Sequence, residues 1–219
     1  MLDLCHLSQA LLNSHLPKPP HICDAFGATA HLTNRPQKWY HIDMNNFEKV
    51  YETAADRYGL ITVEDAADLG IHRKQLLSWE AMGRLERCGR GVYRLNHHVP
   101  TPYDHFAEAV ALVGRGSLIY GDGVLAMHNL ALVNPPQIQV AVAKRVRRAL
   151  PEWIRLVKKT DDIREESFEG IACQKVADAI RTCRGTVMKE RLVEAIDEAA
   201  RQGLVDRQEY KNLKKEFAK

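Results

Sequence analysis

Residues 61–95 read ITVEDAADLGIHRKQLLSWEAMGRLERCGRGVYRL, and this stretch decides the fold. Thr62 with Asp65 three residues on is a capping-box spacing. The hydroxyl accepts a first-turn backbone N–H, and the carboxylate returns to the cap. Ala66, Ala67 and Leu69 give the short helix a small apolar side. Gly70 ends it, because glycine takes positive φ without steric cost, and Ile71 points inward to tether the turn. In the next helix Leu76, Trp79 and Gly83 recur at helical spacing, with Leu76 and Trp79 on one face. The other early positions, His72, Arg73, Lys74, Gln75 and Ser78, are polar or basic. Two strands follow, folded back at Cys88-Gly89-Arg90-Gly91. Leu85, Val92 and Leu95 are placed to pack inward, and Arg84, Arg87, Arg90 and Arg94 to meet an anion. Helix, turn, helix and basic hairpin is the order of parts in a winged helix-turn-helix.

Each polar position has a chemistry that suits duplex DNA. Gln75 and Ser78 can hydrogen-bond base edges, and Arg73 and Lys74 can pair with guanine or phosphate. The wing arginines suit phosphates or a minor groove. Gly89 and Gly91 would let the wing backbone come close to DNA. Winged folds also serve as protein-interaction modules, and arginines on a hairpin are often only a solvated face. The pattern alone leaves that alternative open.

The whole chain sets bounds around this stretch. Its 219 residues fit one large domain or two small ones. With 45% hydrophobic and 27% charged residues, the composition is that of an ordinary globular protein able to bury a core. The net charge is only +3, so a nucleic-acid surface has to be local. No apolar run is long enough to span a bilayer. The start, MLDLCHLSQALLNSHLPKPPHIC, lacks the basic region and unbroken apolar stretch of a signal peptide. Five scattered cysteines suit reduced thiols in a cytoplasm better than a disulfide framework.

Residues 1–43, with LPKPP and NRP, read as a poorly ordered extension, with one short helix at 4–12. Met44, just before an amphipathic helix, is a candidate translation start. Cys5, His6 and Cys23 match no zinc spacing, and no metal or cofactor is expected. Residues 44–98 form the winged unit. Its first helix is expected at 46–58, with Phe47, Val50, Tyr51, Ala54 and Tyr58 as its stripe and Gly59 as its stop. Residues 99–219 form a second domain. Thr101 and Pro102 open a helix that buries Phe106, Val110 and Val113. Strands follow at 117–120, 138–143, 153–157 and 170–172, with a short helix at 124–130 and a polar loop at 160–169. Helices at 175–184, 187–202 and 207–217 end the chain, the last with Asp206 and Glu209 as a capping box. The fold class is therefore α+β: an N-terminal winged helix-turn-helix, then a mixed α/β domain with a small sheet and a helical C-terminal end.

Catalytic patterns are weak. Asp122 and Lys144 invite a restriction-like nuclease reading, but that chemistry needs a second carboxylate beside the lysine, and Gln139 stands where it is wanted. His128 has no serine or cysteine elbow and reads as a polar packing residue. Gly121-Asp122-Gly123 is too sparse for a phosphate cradle. Asp178 and Glu194 read as solvated or capping residues. No catalytic residue is assigned, and the chain reads as a non-enzyme.

Three segments carry a family resemblance: RGVYRL (90–95), LIYGDGVLAMHNLALVNPPQIQVAVAK (118–144) and EGIACQKVADAIRTC (169–183). Their order and spacing resemble the AbiEi antitoxins of type IV toxin–antitoxin, or abortive-infection, systems, from about residue 46 to the C-terminus. The departures are Gly123, where a serine or threonine is frequent, and Gln174, where a threonine is usual. The resemblance implies a winged helix that represses its own operon by binding inverted repeats in double-stranded DNA. It also implies a C-terminal domain that counteracts a cognate nucleotidyltransferase toxin, without need of a stable complex. Basic surfaces of the second domain would add to DNA contact. The alternative is a winged-helix regulator whose second domain senses a ligand or partner. No membrane partner is expected.

Overall fold

The computed structural model describes residues 38–218, with side chains from residue 45. Of the expected N-terminal extension, only residues 38–43 fall in this range. The helix expected at 4–12, Cys5, His6 and Cys23 lie outside the described residues. Helix α1 (Lys38–Ala55) runs through Met44 and so begins well before residue 46. It also ends earlier than expected. Tyr58 and Gly59 both take positive φ, and the Gly59 N–H returns to the Ala54 carbonyl at 2.8 Å. Of the expected stripe, Val50 and Ala54 are buried and Phe47 packs edge-on against Trp79, but Tyr51 is exposed. Tyr58 leaves the helix altogether, and its hydroxyl donates to the Glu169 carbonyl at 2.6 Å.

Strand β1 (Leu60–Thr62), which the sequence pattern does not announce, leads into α2 (Val63–Asp68) and α3 (Arg73–Ala81). The wing is β2 (Leu85–Gly89) and β3 (Val92–Leu95). The three strands form an antiparallel sheet in the order β1-β3-β2, with a bulge between Arg87 and Gly89. Successive side chains of a strand point to opposite faces, and here both faces are covered. Tyr93 and Leu95 join Val50, Ile61, Leu76 and Trp79 in one core. Val92 and its neighbour Leu60 face the other way, into a second core shared with the helix Asp104–Val113 and the five-stranded sheet that follows. Tyr93 is thus buried beside an equally buried Val92, which an alternating pattern does not foresee.

The second sheet has five strands in the order β6-β5-β4-β8-β7. It comprises β4 (Leu118–Ile119), β5 (Ile138–Val142), β6 (Ile154–Lys158), β7 (Glu165–Phe168) and β8 (Ile171–Gln174). β4 pairs parallel with β8, and β5 with β6; the other two pairings are antiparallel. Helix α4 (Asp104–Val113) lies between the two sheets, and α5 (Asp122–Met127) follows β4. Helices α6 (Val176–Thr182), α7 (Lys189–Arg201) and α8 (Arg207–Ala218) close the chain. Apart from β1 and β7 the expected elements recur in order, and the fold is the mixed helix-and-strand α+β arrangement that the sequence implies. One correction is that residues 160–169 are not simply a loop, since β7 lies within them. A second is that α4 proper starts at Asp104 rather than at Pro102. Asp206 accepts the Glu209 N–H at 2.7 Å, but the Glu209 carboxylate turns to Lys175 at 2.8 Å instead of completing the box. No helix among the described residues is long and apolar enough to cross a membrane.

Candidate nucleic-acid interface

The helix-turn-helix is built by two capping boxes in succession. At the first, the Asp65 N–H donates to the Thr62 hydroxyl at 3.1 Å and the Thr62 N–H to the Asp65 carboxylate at 3.2 Å. The turn closes as the Ile71 N–H reaches the Ala66 carbonyl at 2.8 Å, with Gly70 at positive φ. Ala66 and Ile71 are buried, while Ala67 is exposed and adds nothing to the packed side. At the second box, the Lys74 N–H donates to His72 Nδ1 at 3.2 Å and the His72 N–H to Gln75 Oε1 at 3.3 Å. His72 and Gln75 therefore have structural work at the start of α3, whatever else they touch. Such a cap contributes about 1 kcal/mol. Leu76 and Trp79 anchor the inner face of α3, leaving Arg73, Lys74 and Ser78 exposed on the outer face beside Leu77.

The wing arginines part company. Arg90 is exposed at the hairpin tip, which is tied down by a Val63 N–H donating to the Gly91 carbonyl at 2.9 Å. Arg87 is exposed, with its Nε on the Gly89 carbonyl at 3.3 Å. Arg84 is exposed and lies over the Phe47 ring, 4.9 Å from its centroid. Arg94 is a correction. It shares a face with Val92 and Leu60, and its guanidinium is half-buried against Glu108 of α4 at 2.8 Å. It ties the wing to α4, and its charge is already met by Glu108. Gly89 is a second correction. A Cβ built there would run into Leu112 Cδ2, so the close approach it permits is to α4.

Cations from both halves of the chain meet beside the wing tip. Arg73, Arg90, Lys144, Arg145 and Arg147 line one groove, together with Glu64, Arg115 and Arg148. The sequence shows the second cluster only as the run KRVRR at 144–148. Arg115, from the turn after α4, is the residue that sequence reasoning missed. It pairs with Glu64 at 3.5 Å, Asp65 at 3.0 Å and Asp68, and so clamps α2 to the turn after α4. Arg148 donates to the Val113 carbonyl at 2.9 Å. Among the described residues, Arg73, Arg90, Lys144, Arg145 and Arg147 have no ion-pair partner, so their charge faces the groove. Asp65 sits at the centre of the clamp. Burial on its own would raise its carboxyl, but hydrogen bonds from Thr62, Arg115 and Arg57 outweigh it and hold the carboxyl below its ordinary value.

Asp122 accepts a hydrogen bond from the Gln139 amide at 3.0 Å. Gln174, one departure from the family pattern, is buried. It bridges the Gly121 N–H at 3.1 Å to the Thr182 hydroxyl at 3.1 Å. Asp178 is not merely solvated, since it accepts a forked pair from Arg164 at 2.6 and 2.7 Å.

Comparison with known proteins bears mainly on the winged half. No curated protein matches the chain. Among solved structures, the RV2827C protein from Mycobacterium tuberculosis is similar at a TM-score of 0.45 and 13% identity, over 78% of this chain and 71% of its own. Residues 48–96, from α1 to the end of the wing, match the model of the family described as "Transcriptional regulator, AbiEi antitoxin", the family that the sequence resembles.

Proposed function

We propose that this chain is a double-stranded-DNA-binding repressor and antitoxin, cytoplasmic and not an enzyme. Residues 44–98 read inverted repeats in its own promoter, and residues 99–219 counteract a nucleotidyltransferase toxin without a lasting complex. One observation carries the DNA reading: unpaired cations of α3, the wing tip and the 144–148 loop converge on one groove. A net charge of +3 gives no general attraction for a polyanion, so this concentration is the source of affinity. The test is binding of the full chain to its own promoter and to a random duplex of equal length. Preference for the promoter, reduced in Arg73→Ala, supports the reading; equal affinity for both duplexes overturns it. Rescue of cells expressing the toxin encoded beside it tests the antitoxin role.

A second reading, a regulator that senses a small ligand, draws on a cleft of about 660 Å³ between the two cores. Leu60, Val92, Val110 and Ile171 give it an apolar wall, and Arg57 and Arg115 a charged rim. Its volume falls in the range of small-molecule pockets. Promoter affinity that changes with a cell-extract metabolite fraction would favour it.

A further inference from the structure

His128, Glu166 and Cys173 meet under the edge of the second sheet. Glu166 on β7 and Cys173 on β8 are directly opposed across an antiparallel ladder, so their side chains share a face. His128, the C-cap of α5, comes to that face from the helix layer. One imidazole nitrogen, the Cys173 sulfur and a Glu166 oxygen lie within 4.8 Å of one another. His128 is 5% exposed, yet neither Nδ1 nor Nε2 has a hydrogen-bond partner. A polar ring enclosed this way normally finds partners for both nitrogens. The sequence presents it only as a polar packing residue, and its two nitrogens stand without partners. Phe168, on the same face of β7, packs against the imidazole with 4.0 Å between centroids and the rings tilted by 43°. The Val176 N–H donates to one Glu166 oxygen at 3.0 Å, orienting the carboxylate and leaving it a second oxygen to offer.

We propose that His128, Glu166 and Cys173 bind a transition-metal dication of zinc's chemistry, with a fourth position open to water or another ligand. A thiolate, an imidazole and a single carboxylate together favour zinc over magnesium or calcium, which prefer oxygen throughout. Two ligands of a tetrahedral zinc stand about 3.6 Å apart at its usual bond lengths. Closure therefore draws the widest pair in by about an ångström. β7 is an edge strand with a neighbour on one side only and has room for that movement. On binding, the Cys173 S–H bond breaks, the sulfur keeps the electron pair as a metal-bound thiolate, and one proton passes to solvent. The ion would fasten β7 to α5. Positions 128, 166 and 173 have no recognisable zinc spacing, and residue 166 falls in what the sequence presents as a loop, so only the folded chain brings them together.

The test is a cobalt titration of the full chain after treatment with a chelator. One equivalent should give a thiolate-to-cobalt charge-transfer band, discharged by zinc. Cys173→Ser should abolish the band. Glu166→Gln, on the half-exposed edge strand, should leave the circular dichroism unchanged and weaken cobalt binding roughly tenfold or more. Cys5→Ser/Cys23→Ser should keep the band, since the proposed ligand set does not include them. Overturning results are no band in the unaltered chain, a band that survives Cys173→Ser, a band lost with Cys5 and Cys23, or unchanged cobalt affinity in Glu166→Gln.

Discussion

Arg73 and Gln75 lie on the same turn of α3 and have different work. Arg73 is exposed, faces the groove and is ion-paired with nothing among the described residues. Arg73→Ala should lower promoter affinity by roughly 1–3 kcal/mol if the guanidinium meets a base edge. Anisotropy titrations on promoter and random duplex check this; equal losses on both would reassign Arg73 to phosphate. Arg90→Ala should lower the slope of log affinity against log salt by about one if the wing tip neutralises one phosphate. An unchanged slope and affinity would leave the tip out of the interface. Asp65 belongs to the same scale but to stability. Its folded carboxyl titrates below its ordinary value, because hydrogen bonds from Thr62, Arg115 and Arg57 outweigh the burial that would raise it. The stability it contributes is complete above the unfolded value of about 3.9 and is lost as pH falls through the lower, folded value. Urea midpoints measured from about pH 5 to about pH 2 should therefore fall more steeply in the native chain than in Asp65→Asn. Parallel curves would remove Asp65 from the acid response.

At the scale of elements, the wing is held from behind. Gly89 abuts Leu112, and Arg94 reaches Glu108, both on α4. Gly89→Ala should destabilise the chain by about 1–3 kcal/mol, since Leu112 is buried and has to move into filled space. Thermal melts of that variant, beside Gly70→Ala as a strain-only control with open space around it, test this. What the sequence made legible follows the strength of the local signal. The Thr62–Asp65 cap, the Gly70 turn, the Leu76–Trp79 face and the strands of the second sheet at 138–143 and 153–157 are each written in adjacent residues. β7 was not legible, because in the edge strand Glu165-Glu166-Ser167-Phe168 the exposed Glu165 and Ser167 alternate with a half-buried Glu166, so no apolar alternation is written in it. The roles of Arg94 and Gly89 were hidden for a different reason. Their partners, Glu108 and Leu112, belong to a helix beyond the linker, and no pattern inside 61–95 reports them. Half of the groove was visible as the run KRVRR, but its meeting with Arg73 and Arg90 depends on tertiary contact alone.

For the whole molecule, the sheet β1-β3-β2 is common property of two cores. A fragment ending near His98 would expose Leu60 and Val92, each worth about 1.5–3 kcal/mol when buried. That fragment should melt well below the full chain and bind promoter more weakly. Matching melting temperatures in a scanning calorimeter would show that the winged part stands alone. A fragment from Pro100 onward, which keeps α4 and the second sheet, should still protect cells from the toxin. Protection by the winged fragment instead would move the antitoxin activity to residues 44–98. The residues on the rear face of β3 also bear on how recognition is organised in time. A DNA-reading head on a flexible tether surrenders orientational freedom each time a second patch of its own protein lands on the duplex. Here Val92, Arg94 and Gly89 fix that orientation during folding, so under the proposed DNA reading the chain would meet a duplex already shaped, with less of that entropy left to lose.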